Sequence, residues 1–270
     1  VSAPLVQVVV VALEGAVPPI EVLPRDAQPW TDAHERAWLT LQAQSPRLHD
    51  GPIWSVVEAR AEKLAVRPEQ YKRLAVQAEP GEGGVVGVGD LGVRMLGVKG
   101  LLLGQEQGSG TQRLLIARRS SQTRVYQGLW ELAPGGGVDV RRALSPQVIL
   151  DTLAQELEEE LAMTLPPACT PRAHALVIDP IALSVDILLR VDWPLPVPAS
   201  GRATCAAGAC ATGPGMWEYA DAVWISRDEL RAFVGRGVHA LTPPTLAVLH
   251  HIGWIEGDGP VSAVSAGAPA

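Results

Sequence analysis

The sequence predicts an α/β fold: a mixed central sheet between helices, with a small α/β unit ahead of it. Three observations predict this. Strand candidates and helix candidates follow one another along the chain, told apart by their apolar periods. The stretch Glu79-Pro80-Gly81-Glu82-Gly83-Gly84 punctuates that pattern and reads as a linker. Finally, 47% of the 270 residues are hydrophobic, enough for a real core and for one large domain or an ordinary one with a smaller companion.

In the first part, residues 1–87, a buried strand at 5–13 rests on an unbroken β-branched run at 8–11. A second short strand covers 20–23. Thr31 caps a helix reaching Leu41, with Glu35 near its first turn. Leu48-His49-Asp50-Gly51-Pro52 is a turn cluster. Residues 53–65 form one or two strands, and Pro68 opens a short helix carrying Tyr71. In the second part, 88–256, strands are expected at 93–103, 113–118 and 129–132. A helix follows at 146–163, then strands at 173–178, 183–191 and 217–225. Helices at 227–233 and 243–252 close the fold. Pro, Ala, Gly and Thr dominate 194–215, which reads as a disordered or mobile loop. Residues 257–270 read as a flexible tail.

Composition narrows the function. A formal net charge of −7 disfavours a nucleic-acid backbone as partner, although an anionic small molecule remains open where arginines cluster or a cation bridges it. The apolar run at 5–13 is too short to span a bilayer and lacks the basic flank of a signal peptide. Three cysteines, Cys169, Cys205 and Cys210, are too few and too odd for a disulfide framework and fit a reducing, cytoplasmic location.

The chemistry concentrates at one place. Pro134-Gly135-Gly136-Gly137 reads as a glycine turn, and Gln155-Glu156-Leu157-Glu158-Glu159-Glu160 lies on the helix after it. Ser145-Pro146 starts that helix well, because serine accepts an early N–H and proline tolerates the first position. Leu150, Leu153, Leu157 and Leu161 form an apolar stripe facing a sheet. Glu156, Glu159 and Glu160 sit three and four residues apart, so they share neighbouring positions. Like charges at this spacing destabilise a helix by about 0.2–0.5 kcal/mol, a penalty that a divalent cation removes. Hard cations prefer oxygen ligands, and Mg²⁺ is commonly shared between carboxylates and substrate phosphates. Glu158 reads as a solvated surface residue.

This arrangement resembles the Nudix hydrolases, whose signature joins a glycine loop to a helix reading Arg-Glu-hydrophobic-x-Glu-Glu-x-Gly-hydrophobic. Here the helix reads Gln155-Glu156-Leu157-Glu158-Glu159-Glu160-Leu161-Ala162-Met163, with all three glutamates present. Leu114-Leu115-Ile116-Ala117-Arg118-Arg119, Gly128-Leu129-Trp130-Glu131-Leu132 and Ala222-Val223-Trp224-Ile225 fit the same context, so the resemblance covers roughly residues 88–254. Gln155 replaces the motif arginine, Ala162 replaces the glycine, and about five extra residues separate glycine loop and helix. The arginine's usual glutamate partner is missing too, so both halves of that brace are absent together, which need not damage the site.

The segment around Trp38, Ser45-Pro46-Arg47-Leu48-His49-Asp50-Gly51-Pro52-Ile53-Trp54 and Gln70-Tyr71-Lys72-Arg73 is similar to the leader of the branch that hydrolyses UDP-glucose and UDP-galactose. The resemblance implies a Nudix-type α/β/α sandwich and an Mg²⁺ (or Mn²⁺) cofactor held by Glu156, Glu160 and Gly135. It implies a small-molecule nucleotide substrate split into a nucleoside monophosphate and a sugar 1-phosphate. Trp54 and Tyr71 would sit at the uridine or ribose end. Arg119, Arg124, Glu131, Gly137 and Asp139 would line the nucleotide and phosphate path. Glu159 would complete the metal shell or act as base, with Glu218 and Asp221 as alternative bases. ADP-ribose or another nucleotide as substrate, and a non-catalytic nucleotide-binding module, are the competing readings.

Overall fold

The structure, a computed structural model, describes residues 7–26, 28–45, 48–77, 89–198, 217–235 and 241–256, and the backbone of 262–264. In chain order the elements are β1 (Val9–Gly15), β2 (Ile20–Val22), α1 (Asp32–Gln44), β3 (Pro52–Arg60), β4 (Lys63–Gln70), α2 (Tyr71–Gln77), β5 (Met95–Glu106), β6 (Gln112–Arg119), β7 (Trp130–Leu132), β8 (Gly135–Gly137), α3 (Pro146–Leu161), β9 (Arg172–Asp179), β10 (Ser184–Val197), β11 (Tyr219–Ser226), α4 (Arg227–Gly235), α5 (Pro243–His251) and β12 (Ser262–Val264). Among the described residues no helix is long and apolar enough to cross a membrane.

The strands join in one mixed sheet. Its main path runs β12-β1-β9-β10-β5-β3-β4-β2. From β5 the sheet branches to β6 and β8, and β6 carries β7 and β11. The β1–β12, β5–β10 and β2–β4 pairs are parallel, and the others are antiparallel. The period-two alternation of a strand then assigns the faces. Along β6, Leu115 and Ala117 pack on one side with Val148, Ile149, Leu153, Leu157 and Leu161 of α3. Leu114 and Ile116 pack on the other with Leu230 of α4 and Ala247, Val248 and Leu249 of α5. The result is three layers, helix, sheet and helices, as expected from the sequence. Leu153 and Leu157 are fully buried, and truncating such a leucine to alanine costs about 2–5 kcal/mol.

Several local expectations are corrected. Gly135–Gly137 is a short strand laid against Gly97, Val98 and Lys99 of β5, and not a turn. Pro68 lies within β4 opposite Trp54, and the following helix begins at Tyr71. A proline's fixed φ suits a strand as well as a helix start where its missing N–H is not needed. β10 continues to Val197 after a register shift between Asp192 and Pro196, so the first residues of the expected 194–215 loop are strand. Residues 199–215 lie outside the described residues, as do Cys205, Cys210, the 79–84 linker, and Pro46 and Arg47. Within the expected flexible tail, 262–264 pairs with β1, and the rest of 257–270 lies outside the described residues.

The N-terminal strands are hydrogen-bonded to strands after residue 88. β1 pairs with β9 over most of its length, and β3 meets β5 at Ser55 and Met95. α1 and α2 pack on each other through Ala37, Trp38, Ala75 and Val76. Ile53 of β3 packs with Leu74 of α2 and with Leu91 and Val93 before β5.

Candidate active site

Ser145 caps α3 by accepting the Val148 N–H, and Pro146 occupies its first turn. The apolar stripe of this helix turns Leu153, Leu157 and Leu161 toward the sheet. Glu160 falls on that same side and is only 4% exposed. Glu156 is half-buried at the edge of the stripe, whereas Glu158 and Glu159 are exposed.

Glu160 Oε2 accepts the backbone N–H of Gly135 at 3.0 Å. Its Oε1 is buried with no hydrogen-bond partner among the described residues. Burial pushes the Glu160 carboxyl well above the usual carboxylate range, and the Glu218 and Glu156 carboxyls beside it push the same way. Glu156 is raised to about 7 by burial first, then by Glu218 and Glu159, against the opposing pull of Lys99.

The glycine strand makes this crowding possible. A Cβ on Gly136 would collide with the Glu156 carboxylate. A Cβ on Gly135 would stand 2.5 Å from Lys99 Nζ. Glycine serves here by letting charged side chains lie against the backbone.

Beside the carboxylates runs a buried ion network. Glu131 on β7 accepts Lys99 Nζ at 2.9 Å, Arg119 Nη1 at 2.6 Å and the Tyr219 hydroxyl at 3.1 Å. Arg119 also donates through Nε to the Val125 carbonyl at 3.0 Å. Burial works against the charge of Glu131, but Lys99 and Arg119 outweigh it and hold the carboxyl below its usual range. Strand alternation put only one of Arg118 and Arg119 on this face. It is Arg119; Arg118 stacks over Trp130, 6.0 Å from its ring centroid.

A cleft of about 230 Å³ opens next to Glu156. Thr152 and Gln155 of α3 line one side, and Gly137, Val138, Asp139 and Arg141 line another. Pro52 and Ile53 at the start of β3 close it.

The expected site residues are therefore brought together in part. Glu156, Glu160 and Gly135 meet, with Glu218 as the third carboxylate. Glu159 is exposed and accepts Gln155 Nε2 at 2.7 Å. Gly137 and Asp139 line the cleft, and Arg119 and Glu131 are bonded to each other. Arg124 is half-buried in the segment after β6. Trp54 is 7% exposed within the main core, its indole Nε1 lacking a partner among the described residues. Tyr71 packs against the small cores around α1 and α2. Neither aromatic lines the cleft; Ile53 does. Lys99, Tyr219 and Arg141 join the site without being among the residues the sequence singles out. Lys99 carried a usable signal, because a lysine inside an apolar strand is almost never buried unless paired.

Among the described residues no three His, Cys, Asp or Glu side chains are already gathered as a metal centre. The donor chemistry nevertheless fits a hard divalent cation: the Glu218 carboxylate raises both Glu156 and Glu160, and Glu160 Oε1 has no donor among the described residues.

No protein-family model matches the chain, and no curated protein matches its sequence. Among solved structures it is similar to the NUDIX domain of Shewanella oneidensis NrtR complexed with ADP-ribose. Identity is 19% and the TM-score 0.40, over 60% of this chain and 87% of that one. It is similar to DR0079 from Deinococcus radiodurans at 16% identity and a TM-score of 0.42, over 74% and 98% of the two chains. It is similar to the MutT protein from Methanosarcina mazei Go1 at 19% identity and a TM-score of 0.34, over 58% and 94%. At these scores the likenesses carry no functional argument; the side chains around Glu156 and Glu160 must carry it.

Proposed function

We propose that this chain is a divalent-metal-dependent diphosphatase of the Nudix type. Its proposed substrate is a nucleoside diphosphate sugar of the UDP-glucose kind. The observation that carries this reading is the pair Glu156 and Glu160 pressed against Gly135 and Gly136, with Glu218 beside them and a charge balance that calls for a cation. A solvated acidic helix face would leave all its carboxylates in water, as Glu158 and Glu159 are here.

Glu156, Glu160 and Glu218 would hold Mg²⁺ or Mn²⁺. Such an ion supplies neutralisation of diphosphate charge and a lowered pKa for water. Gly135 fixes the Glu160 carboxylate through its N–H. The Lys99–Glu131–Arg119 network, with Tyr219, holds β5, β6, β7 and β11 in register behind the carboxylates. The apolar wall of Pro52, Ile53 and Val138 excludes water from one side of the cleft. In the overall reaction water adds at phosphorus and the bridging P–O bond breaks, giving a nucleoside monophosphate and a sugar 1-phosphate.

The test is turnover by the wild type and by Glu156→Gln/Glu160→Gln, with Mg²⁺ or Mn²⁺, read as phosphate released by a coupled phosphatase. UDP-glucose, UDP-galactose and ADP-ribose are compared by rate. Unchanged turnover in the double variant rejects the metal assignment. Preference for ADP-ribose rejects the UDP-sugar assignment while leaving the diphosphatase standing. Thermal stabilisation by nucleotide with no product under either metal supports a binding module instead.

A further inference from the structure

We propose that Arg141 is a substrate-binding residue that grips the diphosphate at the mouth of the Glu156 cleft, and that Asp139 is the residue that positions it. This rests on the diphosphatase reading, and it concerns a side chain in the extra segment between the glycine strand and α3. An anionic substrate must approach three carboxylates, so it needs a cation that lines the cleft and keeps donors free for it. Lys99 and Arg119 are committed to Glu131. Arg142 is turned to Asp151 on α3 and does not line the cleft. Arg141 does line it.

Its guanidinium is held along one edge only. Nε lies 3.0 Å and 3.2 Å from the two Asp139 oxygens, and Nη2 lies 3.0 Å from Oδ2. The Arg141 backbone N–H also donates to Asp139 Oδ1 at 2.8 Å, which fixes the turn. A guanidinium has five N–H donors in a rigid fork. Tethering one edge to Asp139 leaves the donors of Nη1 for a second acceptor, and planar phosphate recognition suits them. The side chain is 82% exposed, so it reaches a ligand without rearranging the core. The cleft, at about 230 Å³, is smaller than the roughly 300–1,000 Å³ of sites that enclose a whole drug-sized ligand. It therefore takes one moiety of the substrate, and the charged part lies at the rim with Arg141.

The experiment measures binding of methylenediphosphonate and α,β-methylene-ADP by calorimetry with Mg²⁺, alongside KM and kcat for UDP-glucose and ADP-ribose. Arg141→Ala is expected to weaken both non-hydrolysable probes at least about tenfold and to raise KM more than it lowers kcat. Arg141→Lys, which keeps the charge and loses the fork, is expected to fall between Ala and wild type. Arg142→Ala removes the same charge one residue away and is expected to change binding less than about threefold. Asp139→Asn is expected to weaken binding less than Arg141→Ala. Equal losses in Arg141→Ala and Arg142→Ala would mean diffuse electrostatics and overturn the proposal, as would unchanged binding in Arg141→Ala or a wild type that binds neither probe. If Glu156→Gln/Glu160→Gln is inactive while Arg141→Ala keeps its affinity and KM, only the Arg141 assignment fails. If the wild type binds both probes through Arg141 but never turns over, only the hydrolase reading fails.

Discussion

Gly136 lacks a side chain where the Glu156 carboxylate stands: a Cβ built on that backbone would overlap the carboxylate. The relationship ties a strand residue to a helix residue twenty positions later. It also yields a steric prediction. Gly136→Ala is expected to push Glu156 aside and to reduce turnover at least about tenfold, a transition-state loss of about 1.4 kcal/mol or more. The collision itself is measured separately from activity. In a double-mutant cycle, Glu156→Ala should restore part of the stability lost by Gly136→Ala, because residues in contact do not act additively. Strictly additive melting shifts would show that the two positions do not collide.

A second prediction follows from Glu160, whose carboxyl is buried with one oxygen lacking a donor. Such a charge is costly unless paired. Glu160→Gln is expected to stabilise the metal-free protein by about 1–3 kcal/mol, since an amide could accept from Gly135 and donate to Glu218. For a domain of this size each kcal/mol raises Tm by about 2–4 °C. Mg²⁺ is expected to raise the Tm of the wild type and not that of this variant, because only a ligand bound to the folded state stabilises it. Thermal melts with EDTA and with Mg²⁺ separate the two effects. A lower Tm in EDTA would show that the carboxylate is satisfied without a cation.

The carboxylate helix was legible because its signals are local. Serine and proline mark its start, the leucine stripe gives its face, and spacing gathers the glutamates. Periodicity alone left Glu156, Glu159 and Glu160 equivalent; packing on the sheet separates them, burying Glu160 and leaving Glu159 in water. Gly135–Gly137 was visible as a glycine run, but its role was not. That role depends on Lys99 and Glu156, which arrive from other elements. The Lys99–Glu131 pair spans 32 residues and required the register of β5, β7 and β8. Trp54 and Tyr71 are expected at the substrate only through the resemblance; the demand for apolar volume under β3 and α2 buries Trp54 in the main core and packs half-buried Tyr71 against the two small ones.

Ala162 gives a third prediction. It ends α3 in the left-handed region, φ 50°, where its N–H bonds the Glu158 carbonyl. The expected glycine of the motif is thus explained by backbone geometry at a helix end. An alanine held there carries about 1 kcal/mol or more of strain relative to glycine. Ala162→Gly is expected to raise stability by about 1 kcal/mol, seen as a Tm increase of about 2–4 °C. It leaves the helix face that carries Glu156 and Glu160 untouched. A fall in Tm would mean that the lost Cβ contacts outweigh the relieved strain.

The fourth prediction concerns pH and Asp186. This half-buried carboxylate lies opposite Gly97, where a Cβ would collide with it, and it accepts the Ser184 hydroxyl at 3.1 Å. Burial raises its pKa to about 6, against the opposing pull of Lys99 and Ser184. The folded protein therefore holds this proton more tightly than the unfolded chain does. The contribution to stability is fully present below the unfolded value near 3.8 and is lost as pH rises through about 6. Asp186→Asn removes this dependence while keeping an acceptor for Ser184. The variant's stability relative to wild type is accordingly expected to increase between pH 4 and pH 7.5. The increase reaches at most about 3 kcal/mol, at 1.36 kcal/mol per pKa unit. Urea denaturation at the two pH values measures it, with Glu156, Glu160 and Glu218 common to both proteins. A difference that stays constant, or one that shrinks as pH rises, would show that the Lys99 ammonium outweighs burial and that Asp186 is stabilising as a charge.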